Sequence, residues 1–235
     1  LSDPGSPSDV GQLLFSLQLA DSAFPSGLYT MSHGLEGFRQ RGLVTPDDVG
    51  DLLADLLRCS IGPADATALA RAHDAARAGD LQEVQRIDRL LFATKLNGEL
   101  RAASVRSGRQ LMRTAGALVD DPIVSAYGDL VRSRDVPGCQ PVVSGICYAA
   151  AGVSVERAVA SDLFAFASSF TGAALRLRLA DHVAAQVILR EVAPVVEEVA
   201  ASAVVRPTED IGGFAPMTDI CSAGHERAEA RLFTT

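Results

Sequence analysis

The four histidines are the side chains of this sequence best suited to move a proton or hold a metal near neutral pH. His33 precedes Glu36 by three positions, so on a helix the two share a face and could offer a divalent cation one nitrogen and one carboxylate. No third ligand stands at a matching spacing, and without one an exposed histidine beside an acid is the commoner reading of such a pair. His73 beside Asp74 and His182 after Asp181 read as helix-surface or packing residues. His225-Glu226 opens a dense run of charge with Arg227, Glu229 and Arg231, suited to a solvated face or to one that docks on a partner. Cys59, Cys139, Cys147 and Cys221 show neither C-x-x-C nor zinc-site spacing and read as buried reduced thiols. Ser104-Val105-Arg106-Ser107-Gly108 has no neighbouring base to activate a nucleophile. There is no phosphate-binding loop, dinucleotide-binding glycine motif, G-x-S-x-G or H-E-x-x-H. No catalytic set, tight metal site or cofactor site is therefore expected.

The elements that must carry these residues are helical. Residues 1–8 read as a flexible tail, and Val10, Leu13, Leu14 and Leu17 then recur at helical spacing behind a capping box of Asp9 and Gln12. Pro25 and Gly27 shape the loop that follows, and Met31, Leu35 and Phe38 predict a helix closed by Gly42. Thr45-Pro46-Asp47-Asp48 is a helix start, Pro63 to Ala78 an alanine-rich helix ending at Gly79, and Asp80 the cap of another. Gly145, Ala149 and Gly152 form one smooth stripe and Ser168 with Gly172 a second, so their two helices are expected to pack together. Pro194 should kink or divide the stretch from Ala180 to Val205. Gly212-Gly213 should separate a terminal helix, Met217 to Phe233, from the core pattern. Nothing alternates as a half-buried strand should. The expectation is an all-α bundle of about ten helices in one domain, residues 9–235, in which 212–235 is a partner-docking segment.

Composition narrows the classes further. With 48% hydrophobic and 21% charged residues in 235, the chain can bury a large core, and a net charge of −8 argues against a nucleic-acid surface. Residues 136–155 are uncharged over the length of a membrane span, but Pro137, Gly138, Pro141, Gly145 and Gly152 favour a buried helix with a looped approach. No basic-then-apolar leader opens the chain, so the cytoplasm is the expected compartment and no membrane partner is expected.

Three separated segments resemble the urease accessory protein UreF family. The run from Asp21-Ser22-Ala23-Phe24-Pro25-Ser26-Gly27-Leu28-Tyr29 to Ser32-His33-Gly34-Leu35-Glu36 is similar to its L-P-x-G-x-[FY]-x-x-S-x-G-L-E signature. Pro141 to Gly145 and Ala173-Ala174-Leu175-Arg176-Leu177 are similar to its P-x-x-x-G and A-A-x-R-L segments. Pro216 to Ile220, His225-Glu226 and Arg231-Leu232-Phe233 resemble its P-x-x-D-I…H-E…R-L-F ending. Leu28 stands where a second glycine is frequent, and Asp181-His182 where many relatives have Gly-Gln.

The resemblance implies a homodimer that binds the UreD (UreH) scaffold and recruits the GTPase UreG to apo-urease for nickel insertion, without being an enzyme. By the same resemblance, Pro25, Gly27, Tyr29, Ser32, His33, Gly34 and Glu36 form one partner-binding region. Asp219, His225, Glu226 and Arg231 form a second, with Arg176 between them in sequence. Two mechanisms stay open, modulation of the GTPase or a protein-lined nickel path past His33 and Glu36. A helical enzyme acting on a small metabolite is the alternative from a different class.

Overall fold

The computed structural model describes residues 8–27, 30–225 and 232–233, and among them every regular element is helical and none is a strand. Helix α1 (Asp9–Ala20) is capped by Ser8, whose hydroxyl accepts from the Gly11 amide at 3.1 Å. The cap thus lies one residue before the expected Asp9, because Ser8 has the extended backbone an N-cap needs. The rest of the expected tail, residues 1–7, lies outside the described residues. The stripe that announces α1 is not the face it buries. Val10, Leu13, Leu14 and Leu17 are 47–64% exposed, while Ser16 and Leu19 turn inward and Phe15 meets Tyr148 edge-on.

Helix α2 (Leu35–Gln40) is short, and Gly42 follows it with φ +67 as the closing glycine should. A turn at Pro46–Asp48, boxed by Thr45 and Asp48, leads into α3 (Val49–Leu56). The alanine-rich helix does not begin at Pro63. A π-helix (Leu57–Ala66) carries Pro63 inside it and joins α3 to α4 (Thr67–Arg77) without a break. Proline has no amide hydrogen and its ring crowds the carbonyl four residues back. Here that carbonyl, Cys59 O, accepts from the Phe214 amide at 2.8 Å, and Gly212 N donates to Pro63 O at 3.2 Å. Residues 212–214 thus lie along the widened turn, where a side chain on Gly213 would meet the Ser60 backbone at 2.8 Å. The expected separating glycines are therefore packed rather than loose.

Helices α5 (Leu81–Thr94), α6 (Gly98–Ala115) and α7 (Pro122–Ser133) are capped by Asp80, Asn97 and Asp121. Asp88 of α5 is fully buried and accepts from Tyr127 Oη and the amides of Gly138 and Cys139 at 2.7–2.8 Å, which fixes the approach to α8 (Gln140–Ala150). Burial among apolar neighbours, with the Asp88 charge beside it, drives the Tyr127 hydroxyl well above its ordinary pKa. Residues Pro141 to Ala149 of α8 are all buried. The two small-residue helices, α8 and α9 (Val155–Arg176), do pack together as expected, but the close approach at Gly145 is to the Leu69 carbonyl of α4. The second stripe is open at Gly172, where an added methyl group would touch nothing.

Helix α9 is long and apolar enough to cross a membrane, but half of that apolar window is buried here. It packs against α1, α2, α3, α4, α8, α10 (His182–Glu191) and α11 (Ala193–Val205). Pro194 divides the last two as predicted, with the break at Val192. The last helix, α12 (Pro216–His225), lies on α2 and α6. It ends sooner than predicted, and Leu232 and Phe233 are not helical.

Candidate functional site

Glu36 is the centre of the best-connected cluster among the described residues. It is 4% exposed on α2, a position set by the turn before it, where His33 (φ +54) and Gly34 (φ +87) take consecutive left-handed conformations. A side chain at Gly34 would be strained by that φ and would press at 3.2 Å on Ser222 and Thr218 of α12, so glycine serves both the turn and the contact. Ser32 is fully buried and its hydroxyl faces the Glu36 amide at 3.4 Å.

The Glu36 carboxylate gathers the end of the described chain. Its Oε2 lies 2.8 Å from His225 Nε2 and accepts from the Phe233 amide at 3.1 Å, while Oε1 accepts from the Leu232 amide at 2.9 Å. The other ring nitrogen, His225 Nδ1, lies 3.2 Å from Glu99 Oε2 at the start of α6. The His225 ring thus bridges the Glu36 and Glu99 side chains, one nitrogen to each. Arg176 closes the cluster from the end of α9, its guanidinium 4.3 Å above the Phe233 ring and its Nε donating to Gly172 O at 3.1 Å. His225 is 1% exposed, so the ring meets no solvent and offers no open position to a substrate. The arrangement is a clamp rather than an acid–base pair.

Two expected residues face elsewhere. His33 Nε2 contacts Ser169 Oγ at 2.8 Å and the ring lies 4.5 Å from Phe166. Burial, with the Arg176 and Lys95 charges adding, pushes His33 down to about 3, so the ring is neutral near pH 7. His33 and Asp219 both line a cavity beneath α12, and burial raises the Asp219 carboxyl above its usual value. His33 and Glu36, paired in sequence, thus point to different places. Pro25 and Gly27 stay exposed on the loop, and Tyr29, Glu226 and Arg231 lie outside the described residues. The two expected regions meet at Gly34 and Glu36, which lie against α12 or the residues after it. Glu99 was missed from sequence, where it reads only as a first-turn acid behind the Asn97 cap.

Residues from all three segments that carry the resemblance, Glu36, Arg176 and His225 with Phe233, therefore meet in space, and whole-chain comparison agrees with them. The family model described as UreF matches residues 43–193. The chain belongs to the UreF family. It is 36% identical to urease accessory protein UreF 2 of Brucella canis over 225 residues, covering 94% of this chain and 91% of that protein. It is 31% identical to urease accessory protein UreF of Trichodesmium erythraeum (96% and 98% covered) and 28% identical to that of Yersinia enterocolitica (96% and 99%). Within this UreF-family chain the family model stops short of both ends of the clamp, so Glu36 and His225 rest on the structure.

Proposed function

We propose that the chain is a urease maturation factor that acts by binding other proteins and is not itself an enzyme. In this reading it forms a homodimer in the cytoplasm, engages a UreD (UreH) scaffold, and brings a UreG GTPase to apo-urease, with nickel as cargo of the assembly. The relatives' names support the urease connection. The observation that carries protein binding is the outward stripe of α1, four large aliphatic side chains facing water. Contiguous apolar surface of this kind marks partner sites. A second outward group, Phe214, Met217, Ile220 and Leu232, lies on and around α12, whose other face is bound into the clamp. The C-terminal segment would thus dock with one face and hold the core with the other.

The test is co-purification of the chain with a UreD partner and then with UreG. Leu13→Asp with Leu17→Asp should remove at least one partner, or the dimer, while thermal melting stays within a few degrees of the parent. Full retention of every partner and of the dimer would refute the role given to α1.

A further inference from the structure

The clamp leaves unexplained a cavity of about 140 Å³ under α12, walled by the π-helix, α6, α9 and the segment around Lys95. That is close to the size of a cavity that holds one benzene-sized molecule. Two unusual backbone features border it, the π-helix and the left-handed His33, and such features persist where the surrounding structure enforces them, often at functional sites.

Its polar wall is built yet incomplete. Ser104 is 7% exposed and lines the cavity, and its hydroxyl has no partner among the described atoms. Lys95 is already paired, its ammonium lying 2.7 and 2.9 Å from the two oxygens of Asp65. Two further carboxyl groups, Asp162 and Asp219, line the same space, and neither makes an ion pair among the described residues. Asp162 accepts from Gln140 Nε2 at 2.8 Å, yet burial still pushes its carboxyl up to about 6. Leu100, one turn before Ser104 on α6, and Phe166, one turn after Asp162 on α9, add apolar lining beside these polar groups.

The excess of acceptors and negative charge selects a cation, and the apolar lining selects one with carbon on it. Among the described residues no three His, Cys, Asp or Glu side chains are grouped to hold a metal ion. We propose that this cavity binds a small organic cation rich in N–H donors, such as an alkylammonium or guanidinium group on a short carbon stem. The head hydrogen-bonds to Asp162 and to the Ser104 hydroxyl, and the stem lies along Leu100 and Phe166. This site is independent of the partner-binding reading and can fail without it.

The experiment titrates the full chain with n-butylammonium chloride, following heat and the thermal midpoint, beside n-butanol, sodium butyrate and nickel chloride. Expected is saturable binding by butylammonium at about millimolar or tighter. Butanol and butyrate should bind about tenfold more weakly or not at all. Asp162→Asn should weaken butylammonium about tenfold. Ser104→Leu, which fills the space with apolar volume, should abolish binding with the ligand-free melt preserved, and it decides the matter should the asparagine variant not fold. Equal binding of butanol or butyrate, unchanged binding in Ser104→Leu, nickel binding that is lost with Asp162, or no butylammonium binding at tens of millimolar would each overturn the proposal.

Discussion

Replacing Glu36 by glutamine changes almost no volume and tests the clamp directly. The carboxylate serves three donors, the His225 ring and the amides of Leu232 and Phe233. An amide keeps one accepting oxygen and turns an N–H₂ group toward donors, so at least one buried N–H loses its acceptor and the His225 ring loses one of its two carboxyl partners. A buried unsatisfied donor costs about 1–3 kcal/mol and a broken buried charge pair about 3–5 kcal/mol, with the two overlapping at this site. The expected loss for Glu36→Gln is therefore about 3–4 kcal/mol, a large share of the stability of an ordinary domain. For a chain of this length that lowers the thermal midpoint by roughly 6–15 °C. Urea unfolding followed by circular dichroism measures it. A double-mutant cycle with His225→Ala should show that the two losses are not additive, because both remove the same contact. A loss below about 1 kcal/mol, or additive effects, would refute the clamp.

Two further outcomes follow from space and charge. A methyl group at Gly37 would lie 2.5 Å from the Cys221 carbonyl, so Gly37→Ala should force α2 from α12 and lower the melting temperature, whereas Gly172→Ala meets nothing and should raise stability by about 0.5–1 kcal/mol. Differential scanning calorimetry on both variants checks the contrast. Between pH 6.5 and 4 the cavity groups oppose each other. The unfolded chain protonates at His33 while the folded ring waits until about 3, which removes stability as pH falls; the folded chain protonates Asp162 from about 6, which adds it. Urea midpoints across this range should therefore fall more steeply in Asp162→Asn than in the parent, and less steeply in His33→Asn, whose side chain tolerates the left-handed backbone.

The helices were legible where local chemistry decides them. Thr45, Asp80 and Pro194 mark boundaries that the structure keeps, because a cap or a missing amide acts within one turn. Asp88 could also have been found, since it falls in register with Val84, Ile87 and Leu91 on the buried face of α5, where an unpartnered acid would be costly. Pro63 misled because the group that relieves it, the Phe214 amide, comes from a distant segment. The α1 stripe has the period of a core face, and period alone does not say whether the covering surface belongs to the same chain. The family motifs located the right residues but not their grouping. Nothing near Glu36 names His225, and nothing near His33 shows that its ring turns to the cavity. The terminal segment looked separate for the same reason, although Cys221 and Phe233 are buried.

The clamp also sets an order of events during synthesis. Its carboxylate leaves the ribosome early, while its histidine partner stands 189 positions later and its last amide donor 197 positions later. At about 5–20 residues per second the wait is roughly 10–40 s. Throughout that interval the Glu36 carboxylate lacks all three of these donors, so the clamp closes only after the α12 segment and the residues beyond it have been translated.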